Sequence, residues 1–275
     1  MIRPIAMQQH YHIIAIQVTD IVHCMETLPQ KPILQLHGGS KRFGAVQALQ
    51  DVDFEVYLGE VVGLVGDNGA GKSTLVKVMS GVHPPDTGKI FFDGREVTIN
   101  SPRDSTNLGI ETVYQDLALC DNLSVVANLY VGRELKKPVL PGLLHRLEEI
   151  AMEENTIRLL NELHISIPSV RTLIASMSGG QRQSVAVTRA IMWDCKIVLL
   201  DEPTAALGVE QTRQVKNLIL KLKERSLGAV VISHNLAEIL DITDRIIVLR
   251  LGRRVATFDT KSIRPEQVVA AITGV

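Results

Sequence analysis

The sequence lacks the features that would place a chain in a membrane, in an export pathway or on a nucleic acid. Its 29 basic and 30 acidic residues leave a formal net charge of -1, which removes the electrostatic argument for a broad nucleic-acid or lipid surface. No apolar run approaches the ~18 residues of a membrane-spanning helix, and the start of the chain has no signal-peptide cleavage site. We therefore expect a cytoplasmic chain, with any membrane role arising through a protein partner.

Cysteine is also scarce. Cys24, Cys120 and Cys195 are far apart, and no C-x-x-C spacing occurs. An odd and scattered set favours neither a disulfide framework nor a zinc site. With 45% hydrophobic residues in 275, the chain has enough apolar material for a full core without such cross-links.

Residues 1–32 show no clear hydrophobic period and end in the chain-breaking stretch 28–32, Leu-Pro-Gln-Lys-Pro. We interpret them as an extension outside the fold. Translation from Met25 is a further hypothesis. N-terminal sequencing of the native protein tests it, and a peptide from residues 1–24 would refute it.

From Ile33 to Val275 the hydrophobic pattern predicts a single α/β domain. Strands are predicted at 33–36, 46–49, 52–56, 61–65, 197–200, 229–232 and 246–249. The early alternating strands predict an antiparallel β subdomain, and the wholly apolar later ones predict a mostly parallel sheet buried on both faces. Helical patterns between the strands complete the expected α/β core.

From Pro102 to about Ser176 the pattern is helical, and residues of about 116–178 are predicted to form an inserted helical subdomain. Apolar residues recur there at steps of three and four. They are Leu143, Leu144, Leu147, Ile150, Ala151, Ile157, Leu160 and Leu163. The stretch Pro138–Gly142 predicts a turn before this long helix.

A glycine-rich loop follows the strand predicted at 61–65, and a helix follows the loop. The loop reads Gly66, Asp67, Asn68, Gly69, Ala70, Gly71, Lys72 and Ser73. Its glycines let backbone N–H groups point at phosphate oxygens, and the helix adds its positive dipole end. Lys72 supplies charge to the β- and γ-phosphates, Ser73 is a hydroxyl ligand for Mg²⁺, and Thr74 completes the nucleotide-binding set. Between a buried strand and a helix, this loop predicts a P-loop NTPase core.

Two carboxylates, Asp201 and Glu202, follow the strand predicted at 197–200. Ligands gather at this end of open α/β sheets. In P-loop enzymes the acid after such a strand holds Mg²⁺, and Asp201 fits that role. Glu202 is then placed to act as general base on an attacking water. Without the phosphate loop, a solvated turn before Pro203 would explain the pair equally well.

A second anion site is predicted at Met177-Ser178-Gly179-Gly180-Gln181, directly before a helical run from Arg182 to Met192. A hydroxyl and two glycines at a helix N-terminus bind anions and let the ligand approach the backbone. By itself the stretch is no more than a helix start. Its position between the phosphate loop and the acidic pair gives it significance.

In this order the motifs resemble those of the ATP-binding cassette ATPases over residues 33–275, whose signature Leu-Ser-Gly-Gly-Gln corresponds to 177–181 here. The resemblance implies that Gln115 senses Mg²⁺ and water and contacts the transport partner. It implies that His234 contacts the γ-phosphate and that Phe43 stacks on adenine. The segment Asn122-Leu123-Ser124 is implied to couple to the same partner. Alone, a Gln, a His or a Phe is more often structural.

One position departs from the family pattern. The family usually has Ser-Ala-Leu-Asp where this chain has Ala205-Ala206-Leu207-Gly208, so the acid expected to bridge two halves of a dimer is missing. The variant stretch, together with those at 41–49 and 232–236, is most similar to ATP-binding subunits of monosaccharide importers of the ribose, xylose and fructose types.

The resemblance implies an ATPase that uses ATP and Mg²⁺ to energise sugar import. Because one cassette closes its signature over the ATP of another, it implies a second cassette subunit, most simply a homodimer. It also implies integral membrane permease subunits, an extracytoplasmic sugar-binding protein as an indirect partner, a peripheral position on the cytoplasmic face of the inner membrane, and no nucleic acid. A soluble non-transport cassette ATPase and a non-hydrolysing regulatory module remain as alternatives.

Overall fold

The computed structural model of the chain describes residues 31–140 and 144–275. Most of the predicted extension 1–32, the Met25 hypothesis and Cys24 lie outside the described residues. Residues Pro32–Val275 group as one compact unit.

The strands, in chain order, are β1 (Leu34–Phe43), β2 (Val46–Val56), β3 (Val61–Val65), β4 (Thr87–Phe92), β5 (Arg95–Val97), β6 (Ile110–Val113), β7 (Lys136–Leu140), β8 (Leu144–Leu147), β9 (Ile197–Asp201), β10 (Gly228–Ile232), β11 (Arg245–Arg250) and β12 (Arg253–Asp259). The helices are α1 (Lys72–Met79), α2 (Pro102–Leu108), α3 (Val125–Tyr130), α4 (Glu149–Glu162), α5 (Gly179–Ile191), α6 (Val209–Glu224), α7 (Leu236–Ile242) and α8 (Pro265–Thr273).

The central sheet has the strand order β12-β11-β3-β10-β9-β6. Its strands run parallel except for β12, which pairs antiparallel with β11 at one edge. Every residue of β3 and β10 is buried, as strands covered on both faces require. The predicted mostly parallel sheet is confirmed, and its order places the carboxyl ends of β3, β10 and β9 side by side.

An antiparallel sheet of order β2-β1-β4-β5 packs together with α1 and the central sheet. One apolar cluster joins Phe54 of this sheet, Val76 and Met79 of α1, and Leu64 of β3. The two strands predicted at 46–49 and 52–56 are one strand, β2. Its register with β1 shifts between Leu49 and Val52, where Asp51 has a φ of 50°. This irregularity interrupts the alternation of apolar and polar residues, so the sequence predicts two strands instead of one.

The opposite face of the central sheet is covered by α5, α6, α7 and α8. Their buried side chains, among them Val187, Ile219, Ile239 and Val268, form a second apolar cluster with the sheet. A third cluster holds the helical region together through Leu129 of α3, Met152 of α4 and Val185 of α5, among others. Because α5 contributes to both of these clusters, it connects the helical region to the sheet.

The helical prediction for residues 102–176 is wrong in two places. Leu144 and Leu147 lie in strand β8, which pairs with β7, and α4 begins only at Glu149. The turn predicted from Pro138 begins too early, because Pro138 lies within β7, which extends to Leu140. The helical prediction also missed β6, whose four residues, too few to show a period, join the sheet beside β9.

The cysteines of the described residues are unpaired, as expected. Cys120 is exposed and Cys195 is buried. Burial raises the pKa of the Cys195 thiol to about 12, so this thiol stays protonated and unreactive. No helix in residues 31–140 or 144–275 combines the length and the apolar character needed to cross a bilayer.

Candidate nucleotide-binding site

The phosphate loop lies between β3 and α1, and two of its glycines are required by the packing beneath it. Gly66 has a φ of 150°, and a Cβ there would lie 2.1 Å from the carbonyl oxygen of Leu249. Gly71 has a φ of 105°, and its Cβ would lie 2.6 Å from the carbonyl oxygen of Ala48. Only glycine permits both the conformation and the close approach. The loop is therefore fixed by β2 and β11 before any ligand binds.

Lys72 is the first residue of α1 and extends back over the loop. Its Nζ donates hydrogen bonds to the carbonyl oxygens of Gly66, at 2.7 Å, and Asp67, at 2.9 Å. Burial lowers the pKa of Lys72, while the carboxylates of Glu202, Asp67 and Asp201 oppose that shift. A cation that is half-buried and directed into the loop is well placed to attract phosphate oxygens.

The structure also shows a support for the loop that the sequence reasoning missed. The N–H of Gly252, in the turn between β11 and β12, donates to the carbonyl oxygen of Ala70 at 3.0 Å. Gly252 has a φ of 75°. A glycine between two strand patterns is a turn signal, but nothing in the sequence connects this turn with the phosphate loop.

Asp201 is the last residue of β9 and lies beside the helix that follows the phosphate loop. Burial is the largest influence on the pKa of Asp201, and together with the nearby Glu202 charge it raises that pKa. The Ser73 hydroxyl and the ammonium groups of Lys77 and Lys72 act in the opposite direction. A partly buried carboxylate of this kind is stabilised in its charged form by a cation close to it.

Glu202 and His234 meet at the ends of neighbouring strands. The Glu202 N–H donates to the carbonyl oxygen of Ile232 at 3.0 Å, and its Oε2 lies 2.8 Å from Nδ1 of His234. Glu202 has a φ of 54°, a left-handed conformation that non-glycine residues seldom adopt and that is common at functional sites. The Glu202 side chain is only 17% exposed, whereas that of His234 is 75% exposed.

Glu238, in the first turn of α7, is a further carboxylate near the site. It joins the two loops that carry Glu202 and His234. Its Oε2 accepts a hydrogen bond from the Thr204 hydroxyl at 2.5 Å, and its Oε1 accepts one from the Asn235 amide at 2.8 Å. Sequence reasoning missed this contact. Asn235 is the N-cap of α7 and Glu238 lies three residues later, so the capping pattern was present, but not the link to Thr204.

Gln115 and Phe43 lie at the periphery of this group. Gln115 follows β6, whose end pairs with β9 just before Asp201, and its side chain is exposed. Phe43 ends β1, is 42% exposed, and packs edge-to-face on His83 with 5.1 Å between ring centroids. The hydrogen bonds found among the described residues do not connect either side chain to Lys72, Asp201 or Glu202.

The predicted second anion site starts α5, with Ser178 as N-cap. The Ser178 Oγ accepts from the Gln181 N–H at 3.3 Å, and the Gln181 Oε1 accepts from the Ser178 N–H at 3.1 Å. A Cβ on Gly180 would lie 2.8 Å from Cβ of Gln211 on α6. The stretch is therefore a capping box packed closely against a neighbouring helix. Within the described part of the chain, no hydrogen bond joins it to the phosphate loop or the acidic pair.

The geometry agrees with comparisons to known proteins. A family model for the ABC transporter matches residues 49–205, more than half of the chain. The chain belongs to the ABC transporter family. The fructose import ATP-binding protein of Rhizobium meliloti is 44% identical over 249 residues, covering 90% of this chain and 96% of that protein. The xylose/arabinose import ATP-binding protein of Sulfolobus acidocaldarius is 42% identical over 241 residues, covering 88% and 94%.

A solved structure supports the same assignment. The ADP conformation of an ATP-binding cassette of an ABC transporter has a TM-score of 0.73 and 26% identity, covering 88% of this chain and 95% of that chain. The predicted fold class and family resemblance are confirmed. As a member of the ABC transporter family, the chain is an ATP-binding protein and an ATPase.

At the position where this ABC protein lacks the usual acid, the structure places no demand for glycine. Gly208 has a φ of -72° and is the N-cap of α6, and its N–H donates to Oε1 of Gln211 at 3.0 Å. A Cβ there would meet only that oxygen, at 3.7 Å. Any residue fits, so Gly208 reflects neither backbone strain nor close packing.

The residues of the site fit a magnesium ion bound together with phosphates. No group of three or more His, Cys, Asp or Glu side chains that could hold a metal occurs among residues 31–140 and 144–275. Mg²⁺ bound to a nucleotide needs only one or two protein carboxylates, with phosphates and water supplying the other oxygens. The Ser73 hydroxyl and the partly buried Asp201 carboxylate, which lie close together, provide oxygen ligands of that kind.

Proposed function

We propose that this chain is the ATP-hydrolysing subunit of a monosaccharide importer. The observation that carries the hydrolytic part is the 2.8 Å contact between Glu202 and His234, at the sheet edge that also holds Lys72. The curated relatives named above are import ATP-binding proteins for fructose and for xylose/arabinose. They support a monosaccharide as cargo, although the cassette itself has no role in choosing the sugar.

In the proposed mechanism the phosphate loop binds the triphosphate and Glu202 activates water. Loop N–H groups from 66 to 73 and the Lys72 ammonium hold the β- and γ-phosphates. The Glu202 carboxylate accepts the proton of the attacking water as general base. Because an ionised carboxylate only accepts hydrogen bonds, Nδ1 of His234 donates to it. The other ring nitrogen, Nε2, is then available to the γ-phosphate.

Three side chains are proposed to hold Mg²⁺: Ser73, Asp201 and Gln115. The ion would neutralise charge that develops on the phosphate oxygens during transfer. The Ser73 hydroxyl lies close enough to Asp201 to lower the pKa of its carboxyl, and Gln115 follows the neighbouring strand β6. Phe43, at the exposed tip of the antiparallel sheet, is the proposed stacking partner of adenine.

We further propose that the site is completed by a second copy of the chain. Ser178, Gly179 and Gly180 form an anion site that the fold ties to α6 and not to Lys72. The γ-phosphate of an ATP held by one chain would bind the signature of the other, so the pair closes with ATP and opens after hydrolysis. Integral membrane permease subunits would convert this movement into import, with a sugar-binding protein on the far side and the cassette on the cytoplasmic face.

Two measurements test the proposal. The purified chain should release phosphate from ATP in the presence of Mg²⁺, and the Glu202→Gln variant should not. In the source organism, deletion of the chain should abolish uptake of one labelled monosaccharide, and the parent but not Glu202→Gln should restore it. Phosphate release without any change in the uptake of fructose, ribose, xylose or arabinose would contradict the transport part.

A further inference from the structure

Two arginines of α5 hold the segment that follows Gln115. Arg182 and Arg189 are seven residues apart, so two turns of helix place them on one side of α5. Residues 115–121 are called the glutamine segment here. Arg189 binds its middle and Arg182 its end, through an ion pair with Asp121 at 3.4 Å. Because α5 begins with the signature residues, this one helix carries the signature and also binds the glutamine segment.

Arg189 makes the stronger of the two contacts. Its Nη1 donates to the carbonyl oxygen of Ala118 at 2.6 Å, and its Nη2 donates to that of Leu117 at 2.9 Å. Both acceptor residues have left-handed backbones, with φ of 58° at Leu117 and 46° at Ala118. Such conformations persist only where the surroundings hold them, and the forked guanidinium provides two bonds of fixed geometry.

Arg189 also lies near an acidic residue of the strand that leads to Gln115. Burial lowers the pKa of Arg189, while Cys120 and Glu111 oppose the shift. Glu111 lies on β6, four residues before Gln115, and its ion-pair partner is Arg133, at 3.5 Å. The direct link from Arg189 to the glutamine segment therefore consists of its two hydrogen bonds to the backbone of Leu117 and Ala118.

The contact of Arg182 is weaker. Its other hydrogen bonds go to the carbonyl oxygens of Ala175 and Met177, next to its own helix. Its partner Asp121 has a side chain that is 67% exposed, and exposed ion pairs contribute little. Arg182 therefore mainly secures the start of α5, and the link to the glutamine segment depends on Arg189.

We propose that Arg189 is a positioning residue that transmits movement of the signature to the glutamine segment. The proposal rests on the proposed function, in which the signature binds ATP of a second copy and Gln115 contacts Mg²⁺ and the permease. The helix from Ser178 to Arg189 spans about 16 Å and is held in two apolar clusters. A shift at its start therefore moves Arg189, and the two hydrogen bonds carry Leu117 and Ala118 with it.

Hydrogen exchange tests the proposal in chains that bind ATP without turnover. We would compare Glu202→Gln alone with Glu202→Gln carrying Arg189→Met, Arg189→Lys or Arg158→Met. Arg158 is the matched control, since among residues 31–140 and 144–275 its side chain bonds only to Asn155, at 2.6 Å on the exposed side of α4. Amide exchange is followed at residues 66–73, 115–121 and 178–181, with and without Mg²⁺-ATP.

The parent in this comparison is the chain with Glu202→Gln alone. We expect ATP to slow exchange at 66–73 in every chain. At 115–121 we expect slowing in the parent and in the chain that also carries Arg158→Met. In Arg189→Met the slowing at 115–121 should be lost, and Arg189→Lys, which keeps the charge but not the fork, should retain part of it. In chains with intact Glu202, Arg189→Met should lower kcat by about ten- to a hundredfold with KM nearly unchanged.

Equal slowing at 115–121 in Arg189→Met and the parent would overturn the proposal, as would a parent in which ATP slows 178–181 but not 115–121. If Arg189→Met does not fold, Arg189→Lys decides by the same criterion. Absence of any ATP effect at 178–181 in the parent would instead contradict the proposed pairing of two chains. The two failures are therefore distinguishable.

Discussion

The phosphate-loop region and the signature region of this ABC protein differ in how complete they are within one chain. One edge of the central sheet brings together Lys72, Ser73, Asp201, Glu202 and His234, and the Glu202 carboxylate contacts His234 at 2.8 Å. The signature residues 178–181 bond to one another and pack on α6. The residues proposed for catalysis are thus assembled within one chain, whereas the proposed anion site has no hydrogen bond to them in the described part of the chain.

The two regions differ because the fold holds their residues in different ways. Parallel strands deliver side chains to a common edge, where ligands of open α/β sheets gather. The signature is fixed instead by a capping box and by close helix packing. Its position is determined by α6 and the helical region, which is why we propose that its ligand is held by a second chain. The predictions below perturb first one region and then the other.

The largest effect is expected from Glu202→Gln in the assembled region. Removal of a general base lowers turnover by about 10²- to 10⁴-fold, while the phosphate loop stays intact. ATP affinity, measured by titration with a fluorescent nucleotide, should change little. Phosphate release near the parent rate would refute the assignment of the base.

Lys72→Ala should affect binding rather than chemistry. Hydrogen bonds to charged groups contribute about 1.5–3 kcal/mol, so ATP affinity should fall about ten- to a hundredfold. The same titration measures it, with Lys89→Ala as control, since Lys89 is exposed on the antiparallel sheet and pairs with Glu96 at 2.8 Å. Unchanged affinity in Lys72→Ala would contradict the loop geometry described above.

In the signature region, Gly180→Ala should reduce stability. The added Cβ would lie 2.8 Å from Cβ of Gln211, and overpacking of this kind lowers the free energy of unfolding by about 1–3 kcal/mol. Gly208→Asp is the matched control, because it places an N-cap residue where there is room and should stabilise by a few tenths of a kcal/mol, roughly. Urea unfolding of both variants measures the difference, and an unaltered midpoint for Gly180→Ala would contradict the packing.

The smallest effect is expected from Asp201→Asn on stability. The folded-state pKa of Asp201 is raised, so the folded chain binds this proton more tightly than the unfolded chain. Below the unfolded pKa there is no penalty, and ionisation destabilises the fold as pH rises through the folded pKa. Asn removes that penalty, and the Tm of Asp201→Asn should exceed the parent Tm more at pH 8 than at pH 4. A larger gain at pH 4 would reverse the sign and refute the argument.

Much of this comparison was predictable from sequence, and the remainder has a physical explanation. The phosphate loop and the strand before the acidic pair lie where the apolar runs predict them, because buried parallel strands leave a strong pattern. The hairpin β7–β8 was missed because its leucines continue the three- and four-residue steps of the helix that follows it. The strand β6 was missed because it is short and pairs with β9, which is distant in sequence. The bonds from Glu238 to Thr204 and from Arg189 to Leu117 and Ala118 join distant positions that no local period reveals.

The central claim is that each active site combines the phosphate loop of one chain with the signature of another. Mixing Glu202→Gln chains with Ser178→Asp chains tests it most directly, since Asp still caps α5 but repels phosphate. Each variant alone should be nearly inactive. The mixture should recover about a quarter of parent phosphate release. Random pairing makes about half of the pairs mixed, and each mixed pair has one intact site of its two. Full activity of Ser178→Asp alone, or no recovery on mixing, would contradict the account.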